Sequence, residues 1–282
     1  MLPIKSIHYR FLCLFLLLFS GSALASDKAL ELYDLDDLDD FAVSVAAVMT
    51  PAVVQAMTTQ GVPTDIVDTA RSIADESFSA ESLQSLIREE MSAGLSEDNL
   101  DDILLWRKTD LGDLINDAEN QHKDPNYSEK LRHYSVSDEL YSVSDERRLM
   151  IVNLYSDMQA IEQSVQMIIN ANYAMALATA IAEGEDVPQE ETMREVYDNI
   201  AAARDRIEIG VRGRMIVTGL FSYREISNED LERYVDFNRT DAGSQYNKVI
   251  FKVVDKWLFD STKEFGYQFG KALRALSEQQ ET

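Results

Sequence analysis

The sequence predicts an all-α protein: two tandem, related helical modules, bundle-like, with no sheet. Three observations carry this. Residues 96–112, SEDNLDDILLWRKTDLG, recur at 227–243 as SNEDLERYVDFNRTDAG. The rest is rich in the helix formers Ala, Leu, Glu, Gln and Met. Asn-Gly and Asp-Gly, the strongest hairpin signals, are absent. Aligned without a gap, Ser96 meets Ser227, Trp106 meets Phe237, Thr109 meets Thr240 and Gly112 meets Gly243. Upstream, Leu32-Tyr33 echoes as Leu154-Tyr155 and Val62-Pro63 as Val187-Pro188, the offset growing from 122 through 125 to 131. A repeat on this scale indicates two whole modules rather than a solenoid of short units.

Residues 1–25 read as a signal peptide. Lys5, His8 and Arg10 form a basic start, 11–19 is continuously apolar, and Ala23-Leu24-Ala25 supplies a cleavage site after Ala25. The apolar run is too short for a bilayer core of about 30 Å. Cys13 lies mid-run, unlike a lipid-attachment cysteine, and leaves with the leader. The expected product is an exported, soluble periplasmic chain without disulfides, stabilised by its own core. It keeps 24 basic and 50 acidic residues, a net charge of −26. Such a field repels phosphate backbones and anionic headgroups, so nucleic acid is excluded as a partner and no membrane span is expected.

Module one is expected over 26–122. Leu32, Leu35, Leu38, Phe41, Val45 and Val48 make an apolar stripe, with Asp34, Asp36, Asp37, Asp39 and Asp40 on a solvated face between them. The acids lack the glycine and terminal glutamate of a calcium-binding EF-hand loop. A turn at Gly61-Val62-Pro63 follows, then a helix over 82–95. In the repeated motif Ser96 caps a helix whose Leu100, Leu104 and Trp106 point inward, and Thr109 recaps a second helix. Gly112, in its first turn, lets another helix approach.

Residues 123–143 read as a polar linker carrying a duplicated heptapeptide, YSVSDEL then YSVSDER. Module two, 144–282, opens with Ser144 as N-cap and a stripe through Leu149, Val152, Tyr155, Met158, Ile161 and Val165. Its first inter-helix turn is 183–188. Residues 207–217 alternate like a strand but take the helical reading of their counterpart, 82–95. Ser227, Phe237, Thr240 and Gly243 then repeat the capped corner. In the aromatic-rich end, Phe251, Leu258, Phe265 and Phe269 keep helical steps, leaving a surplus of aromatics for a pocket or groove.

No residue pattern announces chemistry. There is no thiol after cleavage, no Gly-x-Ser-x-Gly elbow and no phosphate loop. His122 and His133, with Asp124 and Glu129, show no metal-ligand spacing, so no metal and no cofactor is expected. Catalytic residues stay unknown, and the enzyme question leans to no. The feature above background is a basic island, Arg204, Arg206, Arg212, Arg214 and Arg224, read first as an inter-module counter-charge and second as an anionic-ligand patch.

The corner motif resembles the domain of unknown function 2059, an exported bacterial family whose members look like all-helical periplasmic domains. Ser227-Asn-Glu-Asp-Leu231, Phe237, Thr240 and Gly243 carry the likeness, with Thr240-Asp241 where the family shows Ser-Pro; the first copy matches more loosely. The resemblance implies fold and compartment, and no reaction. The functional expectation is a non-catalytic protein binding an envelope component or another protein. The alternative is a hydrolase of envelope material acting through a carboxylate pair.

Overall fold

The computed structural model describes residues 27–59, 61–182 and 190–280, and every regular element among them is helical. The leader, 1–25, and the turn 183–188 lie outside the described residues. Helix α1 spans 27–35, followed by α2 Leu38–Ala47, α3 Met49–Thr59, α4 Thr64–Ser77, α5 Ala80–Gly94, α6 Glu97–Arg107 and α7 Asp110–Glu119. A 3-10 turn, Asn120–Lys123, leads to α8 Tyr127–Tyr134 and α9 Asp138–Ser142. Then come α10 Asp145–Asp157, α11 Ala160–Ala182, α12 Glu190–Ala201, α13 Arg204–Ser222, α14 Asn228–Arg239 and α15 Asp241–Gln280.

Local chemistry sets the helix starts. Ser96, Ser144 and Ser227 each accept a hydrogen bond from the backbone N–H three residues on, as do Ser79 and Ser137. Each such cap contributes about 1 kcal/mol by satisfying an orphan donor. Gly61 closes α3 at φ 75°, while the Val62 N–H donates back to Met57 O at 3.1 Å. Only a residue without Cβ takes that conformation cheaply.

The two repeated corners are alike in detail. The Thr109 hydroxyl donates to Trp106 O (2.7 Å) and accepts from the Gly112 N–H (3.0 Å). The Thr240 hydroxyl donates to Phe237 O (2.7 Å) and accepts from the Gly243 N–H (3.1 Å). A Cβ on Gly112 would stand 2.6 Å from the Trp106 and Arg107 carbonyl oxygens, and one on Gly243 2.3 Å from Phe237 O. The glycines therefore make room for the carbonyl end of the preceding helix, not for a separate neighbouring helix as the sequence reading has it.

The same offset recurs in the backbone. Asp37 (φ 49°) and Gln159 (φ 56°) are the non-glycine residues at positive φ among those described, and they stand 122 apart. Each precedes an apolar helical stretch, α2 with α3 and then α11. Both stretches are long and apolar enough, by length and composition, to cross a membrane. The left-handed residues also correct the predicted stripes. Continuous helices through 32–48 and through 144–169 are broken at 36–37 and 158–159. The buried face of α10 also differs from the predicted stripe: Ile151 and Leu154 are enclosed, while Leu149, like Val48, stands more than half exposed. The segment 207–217 is helical, within α13.

Packing centres on α15. It runs along α11 and also covers α4, α5 and α6. A Cβ on Gly266 would lie 2.6 Å from Ala174 O, and one on Gly270 2.6 Å from Ala178 O, so two helix backbones are in direct contact there. One core joins Leu32, Leu83, Ile87, Met91 and Leu100 to Val253, Phe265 and Phe269 of α15. A second joins Leu111 and Ile115 to Ile151, Leu154, Leu220 and Leu231. Residues 123–143 differ from an open linker: they form α8 and α9, and bury Tyr134 and Leu140 in that second core.

The helix contact yields a test. Replacing Gly266 and Gly270 together by Ala is expected to cost about 1–3 kcal/mol per site through overpacking. Gly213→Ala, with open space around its Cβ position, should be neutral or stabilise by up to about 1 kcal/mol. Thermal melts of the two variants decide it; equal melting temperatures would remove the backbone contact from the account.

Candidate functional site

The buried face of α1 carries Ala29, Leu32 and Tyr33, and Asp36 falls on the same face one turn on. The buried face of α6 carries Leu100, Ile103 and Leu104, and Arg107 follows one turn on. Packing these faces together encloses both charges. Arg107 Nε lies 2.9 Å from Asp36 Oδ1, with side-chain exposures of 10% and 5%. The contact is close but poorly aligned for a hydrogen bond, and Arg107 Nη1 is buried without any hydrogen-bond partner. The Tyr246 hydroxyl donates to Asp36 Oδ2, and the guanidinium lies 5.3 Å from the Trp106 ring centroid.

Burial pushes the Asp36 carboxyl above the usual carboxylate range, against the pull of Arg107 and the Tyr246 hydroxyl. Burial opposes the Arg107 charge most strongly, but Asp36, Tyr234, Tyr246 and Glu119 together outweigh it and the guanidinium stays protonated. Beside this pair, Glu119 Oε1 accepts from Tyr223 OH (2.8 Å) and Tyr234 OH (2.6 Å). Burial, then the carboxylates they serve, hold the phenols of Tyr223, Tyr234 and Tyr246 well above their ordinary value. Asn247 Nδ2 donates to Asn238 Oδ1, and Asn238 Nδ2 to Tyr234 O, each at 2.8 Å.

All of these groups except Tyr223 border a cavity of about 390 Å³. Asp36, Asp37, Arg107 and Glu119 form its charged part, with Leu38, Phe41, Met158, Phe237, Ile250 and Phe251 as apolar wall. Leu38 and Ala160, the first residues of α2 and α11, also line it, so two helix N-termini end there. Asp37, the N-cap of α2, makes no side-chain bond to the first turn. Such an arrangement can hold a small molecule; the charged groups are already committed to one another.

Of the motif residues, Ser96, Ser227, Thr109 and Thr240 are caps, and Gly112 and Gly243 are the corner contacts already described. Trp106 and Phe237, matched in the repeat, stack on each other at 4.2 Å and 13°. Phe237 borders the cavity, with Tyr246 from the surplus aromatics and Phe251 from the residues at helical steps. The arginine island lies elsewhere, on α13 and just beyond it. Arg204 pairs with Glu162, and Arg212 with Glu208 one turn away on its own helix at 2.6 Å. Arg224 reaches Gln121 Oε1 at 3.0 Å and lies over the Phe221 ring; Arg206 and Arg214 are exposed. His122 borders the cavity, while His133 is exposed, 3.6 Å from Glu129.

Asp36, Arg107 and Glu119 are the functional candidates that the sequence reading missed. It placed Asp36 on a solvated acidic face. The signal was available: Asp36 continues the 29-32-33 face and Arg107 the 100-103-104 face, so each charge sits where an apolar residue belongs. Comparison with protein-family models, with curated proteins and with solved structures found no match.

Asp36→Asn should destabilise by about 3–5 kcal/mol, because it leaves the Arg107 charge buried and alone. The double variant Asp36→Leu with Arg107→Met should recover most of that loss in urea unfolding. Alkaline titration gives a second check. An unfolded tyrosine ionises near 10, whereas Tyr223, Tyr234 and Tyr246 hold their protons well above it. Above pH 10 the unfolded chain therefore releases protons that the folded chain keeps. Stability is full below pH 10 and falls as pH rises beyond it. In a 295 nm titration, at least these three tyrosines should ionise only as the chain unfolds. Finally, Arg212→Ala with Arg214→Ala should change stability by less than about 1 kcal/mol, as solvated charges do.

Proposed function

We propose that the chain is a non-catalytic binding protein of the bacterial periplasm that holds a small envelope molecule in the cavity between α2, α6, α7, α11, α14 and α15. One observation carries this reading: a bordered cavity of about 390 Å³ with an apolar wall and a buried Asp36–Arg107 pair at its charged part. A cavity of that size suits a small ligand, and a few fixed polar groups in an apolar wall give orientation. The leader and the resemblance to exported all-helical domains support the compartment. The matched corners, the matched left-handed residues and the Trp106–Phe237 stack support descent of the two halves from one duplicated module.

The hydrolase reading has one observation in its favour: three carboxylates, Asp36, Asp37 and Glu119, border the same cavity. All are engaged, Asp36 by Arg107 and Tyr246, Asp37 by Lys123, Glu119 by two tyrosine hydroxyls. A general acid or base must present its proton or lone pair to the substrate. These carboxylates spend theirs within the protein, which favours binding over catalysis.

Native mass spectrometry of the protein purified gently from periplasm tests the proposal. A small molecule should accompany the wild type and be absent from Ile250→Trp, which fills the cavity from its half-buried wall. A molecule retained equally by both would place binding outside the cavity. Turnover of envelope material that Glu119→Gln abolishes would replace binding with the hydrolase.

A further inference from the structure

The first half leaves exposed a helix face that the second half covers. At the 122-residue offset α2 and α3 answer to α11, Leu38 meeting Ala160 and Thr59 meeting Ile181. Eight residues of α11 are buried, Ile161, Val165, Ala174 and Ala178 among them. All eight counterparts are exposed, including Asp39, Val43, Ala52 and Ala56. The two stretches thus use opposite faces: α2 and α3 bury Leu38, Ala42, Ala46, Met49 and Met57.

The cover on α11 is another helix. Gly266 and Gly270 of α15 bring backbone against Ala174 and Ala178. At the 131-residue offset α15 answers to α7, but α7 ends at Glu119, the counterpart of Ile250. The first half breaks into short helices where α15 carries its two glycines. Ala52 and Ala56, the counterparts of Ala174 and Ala178, line a largely apolar groove of about 180 Å³ instead.

Charge selects the occupant. Residues 41–64 hold no Asp, Glu, Lys or Arg, in a chain where such residues make up 27%. Burial does not account for that, because Ala47, Ala52, Gln55, Ala56 and Thr59 are exposed. Two copies of an acidic chain repel wherever their acids face each other. This face removes the repulsion and offers the same small, uncharged side chains from both sides, as an isologous two-fold contact requires. Acids close both ends of the run, Asp39 and Asp40 before it and Asp65 after it, which disfavours an anionic lipid surface. Helices crossing at about 50° diverge toward their ends, so in a dimer those acids stay apart.

Resting on the duplication proposed above, and not on the cavity, we infer that α3 is the contact surface of a homodimer. Ala52 and Ala56 of one protomer pack against the same helix of its partner, much as Ala174 and Ala178 receive α15 within the chain.

Sedimentation velocity of the purified protein between about 1 and 100 µM tests this. A dimer is expected, tightening as salt rises, because salt screens the repulsion between the two acidic bodies. Ala52→Glu with Ala56→Glu puts like charges into the contact. It should weaken dimerisation at least about a hundredfold, with helicity unchanged by circular dichroism. Val136→Glu with Tyr141→Glu adds the same charge at exposed apolar residues elsewhere, and should change dimerisation by about threefold or less. A monomer throughout overturns the inference. So does a dimer that survives the Ala52/Ala56 variant, or one lost equally in the Val136/Tyr141 variant. A monomer that floats with phosphatidylcholine vesicles, and stops doing so in the Ala52/Ala56 variant, assigns the face to a neutral lipid surface instead. None of these outcomes bears on the cavity, which Ile250→Trp reports separately.

Discussion

The contact on which the rest of the structure depends is the direct approach of α15 to α11 at Gly266 and Gly270. With no side chain at either position, the backbone of α15 reaches the Ala174 and Ala178 carbonyls, and the two helices can run together over a long shared length. That placement sends the other face of α15 across α4, α5 and α6, where Val253, Phe265 and Phe269 complete the core of the first half. Trp257 adds a directional tie, donating from Nε1 to Ser82 Oγ at 2.8 Å. The first half thus has its core closed by residues from the far end of the chain.

The same placement encloses the Asp36–Arg107 pair, because Tyr246 of α15 closes over it. A buried ion pair is poor evidence for stability, since the cost of removing two charges from water roughly matches their attraction. An apolar pair of similar size would serve the core as well. The pair here borders a cavity, is misaligned for a full hydrogen bond and leaves Arg107 Nη1 without a hydrogen-bond partner.

The two halves agree where local geometry is concerned and differ where chemistry is. The Thr-Gly corners share hydrogen bonds to within about a tenth of an ångström, and Lys108 and Arg239 each bind an acid on the preceding paired helix, Glu31 and Asp157. Between Trp106 and Lys108 stands Arg107; between Phe237 and Arg239 stands Asn238. Arg107 against Asn238, like Asp36 against Met158 and Glu119 against Ile250, puts a charged side chain on one side of the cavity and a neutral one at the equivalent place. The frame sets position, and the substitution within it sets character.

The sequence by itself determined the helical class, the caps at Ser96, Ser144 and Ser227, and the Thr109 and Thr240 corners. Each of these rests on interactions spanning three or four residues, so the residues that make them are neighbours in the chain. What only the tertiary structure decided is which charges are buried. Asp36 stands among five acids that look alike in sequence, and the left-handed turn at Asp37 selects it by ending the helix there. Its partner, its hydroxyl donor and the cavity wall come from α6, α15 and α11, elements that meet only when the long final helix has packed. Burial and ion pairing act through space between distant segments, and the order of residues along a chain does not record that distance.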